Sequence, residues 1–405
     1  MNSYYYLFEI ALILFSTKLL GLLFRRIRLP QVVGALLAGI IIGPSMLNLV
    51  SESEFITQLS EIGVILLMFT AGMETDIGEL KRQGKASFVI ALLGVLIPFV
   101  LGLGTTYLFA QLGMQDIMGN DKILLQSVFV GVVLTATSVS ITVETLREMG
   151  KLSSNVGNVL LGAAIIDDIL GIIALSVVTS FADTSVKLNM ILIKILLYFI
   201  FMAIISVVLY TILRLWFKES DNLKRHVIAV IGLCLLLAYI SEVYFGVANI
   251  TGAFITGLII SAVGYKKKKI MWTVDDLLYA FLSPIFFASI GLKLALPKMS
   301  VIIVAYAVVL SIVAIASKII GCGLGAKLFK FSNKESIQIG SGMVSRGEVA
   351  LIVANKGVKL NMVSNVIFAP ILIVVIITTV IAPILLKIAF RDNNSDVDED
   401  NLIVN

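Results

Sequence analysis

Residues 157–178 read GNVLLGAAIIDDILGIIALSVV, with two adjacent carboxylates, Asp167 and Asp168, in the middle of an otherwise apolar run. Crossing about 30 Å of hydrocarbon takes roughly 20 residues of helix, and this run is long enough. An ionisable group at the centre of such a helix costs about 2.5–3.5 kcal/mol on insertion scales, so each one needs a reason. Neighbouring helix positions point about 100° apart. Two carboxylates placed this way cannot both be ionised cheaply. A hard monovalent cation favours oxygen ligands, and a carboxylate gives up its proton when a cation replaces it. Competition of proton and cation for one carboxylate is the minimal chemistry of antiport. The competing reading is a pair bound to a neighbouring helix for packing alone.

The rest of the chain agrees with a membrane setting. Of 405 residues, 59% are hydrophobic and only 14% charged. Mean hydropathy is +1.04. Soluble enzymes and disordered chains are excluded together, because neither can hide that much apolar surface or carries so little charge. Cys234 and Cys322 are the two cysteines. They sit inside apolar runs, where a thiol behaves as a small hydrophobe and not as a staple. The expected fold is an all-α polytopic membrane protein.

Thirteen apolar runs are long enough to span: 4–24, 30–50, 55–74, 86–110, 123–146, 154–181, 188–217, 223–243, 246–264, 272–294, 300–329, 334–356 and 362–390. The first has no basic residue before it and no cleavage site, so it is expected to be a retained helix with its N-terminus outside. Thirteen crossings then place the C-terminus inside, with an acidic, disordered tail at 391–405. On that topology 21 of the 31 basic residues fall on the inner side, 6 on the outer side and 4 within spans. The positive-inside bias is strong. The net charge of +5 therefore reports orientation in the cell (plasma) membrane and not a nucleic-acid partner. The run Lys266–Lys269 is expected to orient the bundle and to be able to meet anionic lipid. Spans one to six start outside and spans eight to thirteen start inside, as two inverted six-helix repeats would.

Other polar groups lie where lipid is expected. Lys318, in SIVAIASKIIGCGLGAKL (311–328), is too deep to snorkel, and its natural partner is Asp167 or Asp168. It serves either as a static ion pair or as a proton carrier. Thr135, Thr137, Ser138, Ser140 and Thr142 cluster halfway along span five, where hydroxyls can satisfy a broken helix. In span twelve, ESIQIGSGMVSRGEVALIVA (335–354), three glycines surround Arg346 and Glu348. Corresponding interruptions in two halves point to a transporter's binding site. Glu9, Lys18, Glu61 and Lys194 are read as packing, dimer-contact or snorkelling residues. His226, beside Lys224 and Arg225, is expected to be an ordinary solvated loop residue at the inner surface.

These segments carry a family resemblance. VVGALLAGIIIGPSMLNL (32–49), EIGVILLMFTAGMETDIGELKRQGKAS (61–87), the Thr-Ser stretch, AAIIDDILGII (163–173), ITGAFITGLIIS (250–261), PIFFASIGLKL (284–294) and SGMVSRGEVALIVA (341–354) occur in order. Together they resemble the monovalent cation:proton antiporter-2 family. The paired aspartates are similar to the electrogenic, NapA-type sodium/proton branch; the electroneutral potassium-efflux branch lacks them.

The resemblance implies a thirteen-helix NhaA/NapA-like fold with broken helices crossing in spans five and twelve. It implies dimerisation or scaffold helices at 1–85 and 223–299, core helices at 86–181 and 300–390, and a linker helix at 182–222. It implies a homodimer in membrane lipid. It assigns Asp168 as the essential cation-binding carboxylate and Asp167 as its partner, salt-bridged to Lys318. Thr137 and Ser138 would add oxygens to the sodium site, and Arg346 and Glu348 would balance charge at the crossing. The function implied is exchange of sodium for protons, two protons per sodium, with pH homeostasis as its use. No cofactor and no enzymatic step is called for, since sodium and protons are the cargo. The rivals are a potassium/proton exchanger of the same family, a cation channel, a membrane enzyme and a signalling receptor. A channel lacks its repeated filter motif here. An intramembrane protease would place its aspartates on two helices, and a prenyltransferase would need a second aspartate motif. A receptor would need an output domain.

Overall fold

The computed structural model describes residues 4–27, 29–114, 123–182, 188–219, 223–293, 300–359, 362 and 365–391. Every regular element among the described residues is helical. In chain order these are α1 (Tyr5–Arg26), α2 (Gln31–Ile42), α3 (Glu54–Glu74), α4 (Ile77–Phe109), α5 (Ile123–Thr135), α6 (Val139–Glu148), α7 (Asn155–Ala182) and α8 (Leu188–Glu219). There follow α9 (Leu223–Phe245), α10 (Asn249–Val263), α11 (Lys267–Leu277), α12 (Ser283–Leu292), α13 (Val301–Leu328), α14 (Asn333–Gly342), α15 (Glu348–Lys359) and α16 (Asn365–Phe390). One π-helical turn, Ala110–Met114, prolongs α4, and another, Leu278–Leu282, joins α11 to α12.

Among the described residues, ten helices are long and apolar enough to cross a membrane. Three of the thirteen runs hold shorter pieces, for local reasons. Run 30–50 gives α2, which stops at Gly43 before Pro44. Run 246–264 spends its first residues on a turn, with Gly246 at φ +68°, before α10 begins. Run 334–356 is broken in its middle between α14 and α15.

Polar residues mark the helix ends. Asp76 accepts from the backbone N–H groups of Gly78 (2.7 Å) and Glu79 (3.1 Å) and so starts α4. Ser332 and Glu335 form a capping box at the start of α14. Between the ends, backbones meet through small residues, as lipid supplies no hydrophobic drive to bring helices together. Gly72 of α3 and Gly257 of α10 face each other so closely that a Cβ on either would collide with a backbone carbonyl of the other helix. α4 packs on α5, α7 and α13; α13 also holds α14 and α16; α3 holds α10 and α12, and α2 packs on α1 and α12. Large apolar side chains remain outward, among them Phe15 and Leu19 of α1. In water such a surface would be a liability; against lipid tails it is the expected solvent contact.

His226 corrects the sequence reading. It lies in the first turn of α9, fully buried, with its ring 4.6 Å from Trp216 and 4.7 Å from Phe217 of α8. The two preceding basic residues made it look solvated. The aromatic pair that covers it comes from the end of the preceding helix, which hydropathy along one run does not reveal.

Candidate cation site at a helix crossing

Two helices break at the same depth and pack break to break. α5 ends at Thr135 and α6 starts at Val139, while α14 ends at Gly342 and α15 starts at Glu348. A broken helix leaves carbonyl and amide groups without intrahelical partners, and lipid cannot satisfy them. Here each break satisfies the other. The Ser138 amide donates to the Ser345 carbonyl at 2.7 Å, and the Ser345 hydroxyl donates back to the Ser138 carbonyl at 2.7 Å. Thr142 donates to the Gly342 carbonyl at 2.5 Å, and Thr137 reaches the Met343 carbonyl at 3.5 Å.

Arg346 is fully buried in this crossing. Its guanidinium donates to the carbonyls of Leu134 (2.8 Å), Val344 (3.0 Å) and Ala314 (3.1 Å). The C-terminal end of a helix carries partial negative charge, and Leu134 belongs to the last turn of α5. A cation placed there is stabilised by those carbonyls, with the Asp167 carboxylate within electrostatic reach. Thr379 of α16 donates to the Arg346 carbonyl and ties the break to a third helix. Glu348 opens α15, and its side chain lies outside the described residues.

Beside the crossing, α7 brings Asp167 and α13 brings Lys318 into contact. Lys318 Nζ donates to Asp167 Oδ1 at 2.9 Å, with both side chains 1% exposed or less. The Thr137 hydroxyl, at the α5 break, also lies close enough to the Asp167 carboxylate to interact with it. Asp168 is half-buried and points to a cavity of about 360 Å³ that Asp167, Thr135, Ala136, Glu61 and Glu242 also line. The helix period separates the two carboxylates as expected, one towards Lys318 and one towards the open space. Ser138 is locked in the crossing and lies apart from that cavity's walls.

The family of transmembrane sodium/hydrogen exchangers matches residues 11–391. The chain belongs to the sodium/hydrogen exchanger family. It is 41% identical to the Na(+)/H(+)-K(+) antiporter GerN of Bacillus cereus over 386 residues, 95% of this chain and 96% of that protein. It is 35% identical to a Na(+)/H(+) antiporter of Enterococcus hirae over 382 residues, 93% of this chain and 96% of that one. The sodium proton antiporter MjNhaP1 of Methanocaldococcus jannaschii shares the fold, with a TM-score of 0.64 at 19% identity over 94% of this chain and 97% of that one. This exchanger is thus a multi-pass membrane protein of a family that carries out cation/proton antiport, a family of transporters and not of enzymes.

Sequence reading missed several polar groups in this exchanger. Glu61 and Glu242 were not tied to a cavity, because they lie on different helices, far apart in the chain. Arg147 looked like an ordinary inner-surface charge, yet it is largely buried and ion-paired to Glu74 at 2.9 Å. Its place inside the ETLREMG segment, three residues after another acid, was the one available signal.

Proposed function

We propose that the chain exchanges sodium for protons by alternating access, with Asp168 as the main cation-binding carboxylate. The observation that carries this reading is the buried Lys318–Asp167 pair beside the crossing, one residue from a carboxylate that faces the cavity. Sodium arriving through the cavity meets the Asp168 oxygens and those of Asp167, with the Thr137 hydroxyl adjoining. Its arrival displaces the proton that Asp168 carries and weakens the hold of Asp167 on Lys318. Lys318 then gives up the second proton. The reverse loading returns both protons and expels sodium. Ser138 supports the site by holding the break, and Arg346, with Glu348 at the start of α15, balances charge at the crossing.

Two protons exchanged for one sodium move one net charge per cycle. Each charge is worth about 2.3 kcal/mol per 100 mV, a sodium gradient of roughly 40-fold. Reconstituted liposomes with an internal pH dye test this. Sodium-dependent dye signals that grow with an imposed potential, and vanish in Asp168→Ala, are expected. Exchange indifferent to voltage would overturn the stoichiometry, and unchanged exchange in Asp168→Ala would overturn the site.

The same reading takes the helical runs as thirteen crossings in two inverted halves, with the N-terminus outside and the C-terminus inside the plasma membrane. Segments 86–181 and 300–390 form the moving core, 1–85 and 223–299 the scaffold, and 182–222 the link between them. The packing of α4 on α13 and of α3 on α10 supports that division. A homodimer in membrane lipid belongs to the same reading. A potassium/proton reading has one specific support, the potassium in the name of the 41%-identical relative. A panel of sodium, potassium and lithium in the same assay separates the two.

A further inference from the structure

Away from the cation site, α6 ends in a cluster that ties it to α3 and to the α11–α12 element. Arg147 Nε lies 2.9 Å from Glu74 Oε1 of α3. Its other nitrogens donate to Thr70 Oγ1 of α3 at 2.7 Å and to the Tyr279 hydroxyl at 3.0 Å. Tyr279 in turn donates to Glu144 of α6 at 3.3 Å. Glu148, the last residue of α6, is committed elsewhere, accepting the first amides of α2 at 2.8 and 3.1 Å. From α11, Lys267 faces Glu74 electrostatically, and Asp275, with Asp276 beside it, lies four residues before Tyr279 and within electrostatic reach of Arg147. Asp275 Oδ1 is buried and accepts no hydrogen bond among the described atoms. A buried carboxylate oxygen without a donor is costly, and a guanidinium one turn away is the natural donor.

We propose that Arg147 is a two-seat latch between the transport core and the scaffold. One seat is Thr70, Glu74 and Tyr279, occupied while the cavity beside Asp168 is open. The other is Asp275, taken when the core moves and the cavity closes. The proposal rests on the alternating-access reading above. Arg147 stands near the end of α6, and Asp275 stands one helical turn before Tyr279, towards the Lys267 end of α11. One turn of helix is about 5.4 Å, and a guanidinium stepping one turn along a partner helix converts a continuous slide into two discrete positions. Arg147 and Asp275 are thus positioning residues, acting on the site by setting which side it faces.

The test reads conformation directly. In the full-length protein, Ala248→Cys labels the wall of the open cavity. Leu161→Cys, buried on the opposite side of the crossing among Val143, Leu146 and Leu160, labels the closed path. The native Cys234 and Cys322 are both buried. The ratio of the two labelling rates by a soluble maleimide reports the balance of states. Glu74→Gln should lower the ratio of Ala248→Cys to Leu161→Cys labelling roughly two- to fivefold, and Asp275→Asn should raise it by a similar factor. Glu74→Asp and Asp275→Glu should return it towards the parent value, which separates loss of a seat from loss of fold. Shifts of the same sign in both neutralised variants, or no shift in either, would overturn the latch. Labelling needs no sodium, so a wrong cargo assignment would appear in the dye assay and leave these ratios unchanged.

Discussion

Removing Lys318 alone strands the Asp167 carboxylate in a site that is 1% exposed. At 2.9 Å and an effective dielectric of about 20, the attraction lost is about 6 kcal/mol. Buried pairs broken by removing one partner cost about 3–5 kcal/mol, less than the Coulomb figure because the survivor relaxes and finds other partners such as Thr137. Lys318→Met should therefore lower the thermal midpoint in detergent by roughly 6–10 °C, at about 2 °C per kcal/mol for a chain of this size. Asp167→Asn should cost a comparable amount, since it leaves a buried ammonium facing an amide. The double variant, Asp167→Asn with Lys318→Met, should recover more than half of the loss, because no uncompensated charge is left. Size-exclusion chromatography after a series of heat steps measures all four corners of the cycle. Losses that simply add in the double variant would refute the ion pair as the reason these two residues sit together.

Two further outcomes test the surrounding architecture. Ser345→Ala removes the hydroxyl that holds the Ser138 carbonyl, and should cost about 1–3 kcal/mol, read as a fall in thermal midpoint; Thr105→Ala, whose exposed hydroxyl bonds only within its own helix, should cost far less. Gly72→Leu must push α3 off α10, because its Cβ alone already meets the Phe254 carbonyl; loss of the monodisperse peak is expected, while Gly84→Leu, in open space, should keep it.

How far the sequence carried differs between parts of the molecule. Membrane class and the positions of the helices were legible because apolar runs of roughly 20 residues have few other readings. The crossing was legible in outline, since Thr137, Ser138 and the glycines around Arg346 mark helices that cannot run straight. What hydropathy could not tell is what Arg346 does there. The pattern Arg346-Gly347-Glu348 does not show that the guanidinium donates to carbonyls of α5, α13 and its own break. Which carboxylate meets Lys318 was left open by the residues and narrowed only by family resemblance, because 100° of helix rotation decides it. The Arg147 cluster stayed hidden, because its members come from residues 70 to 279 and each looks ordinary within its own segment.

In this mechanism proton and cation compete for the same carboxylate. The most direct measurement is the apparent KM for sodium as a function of pH in reconstituted liposomes, at fixed voltage. KM should rise as pH falls, by about tenfold per unit where only Asp168 must lose its proton and towards about a hundredfold per unit where Lys318 must release one as well, while the saturated rate changes much less. A sodium KM that stays flat while protons vary a hundredfold would contradict it.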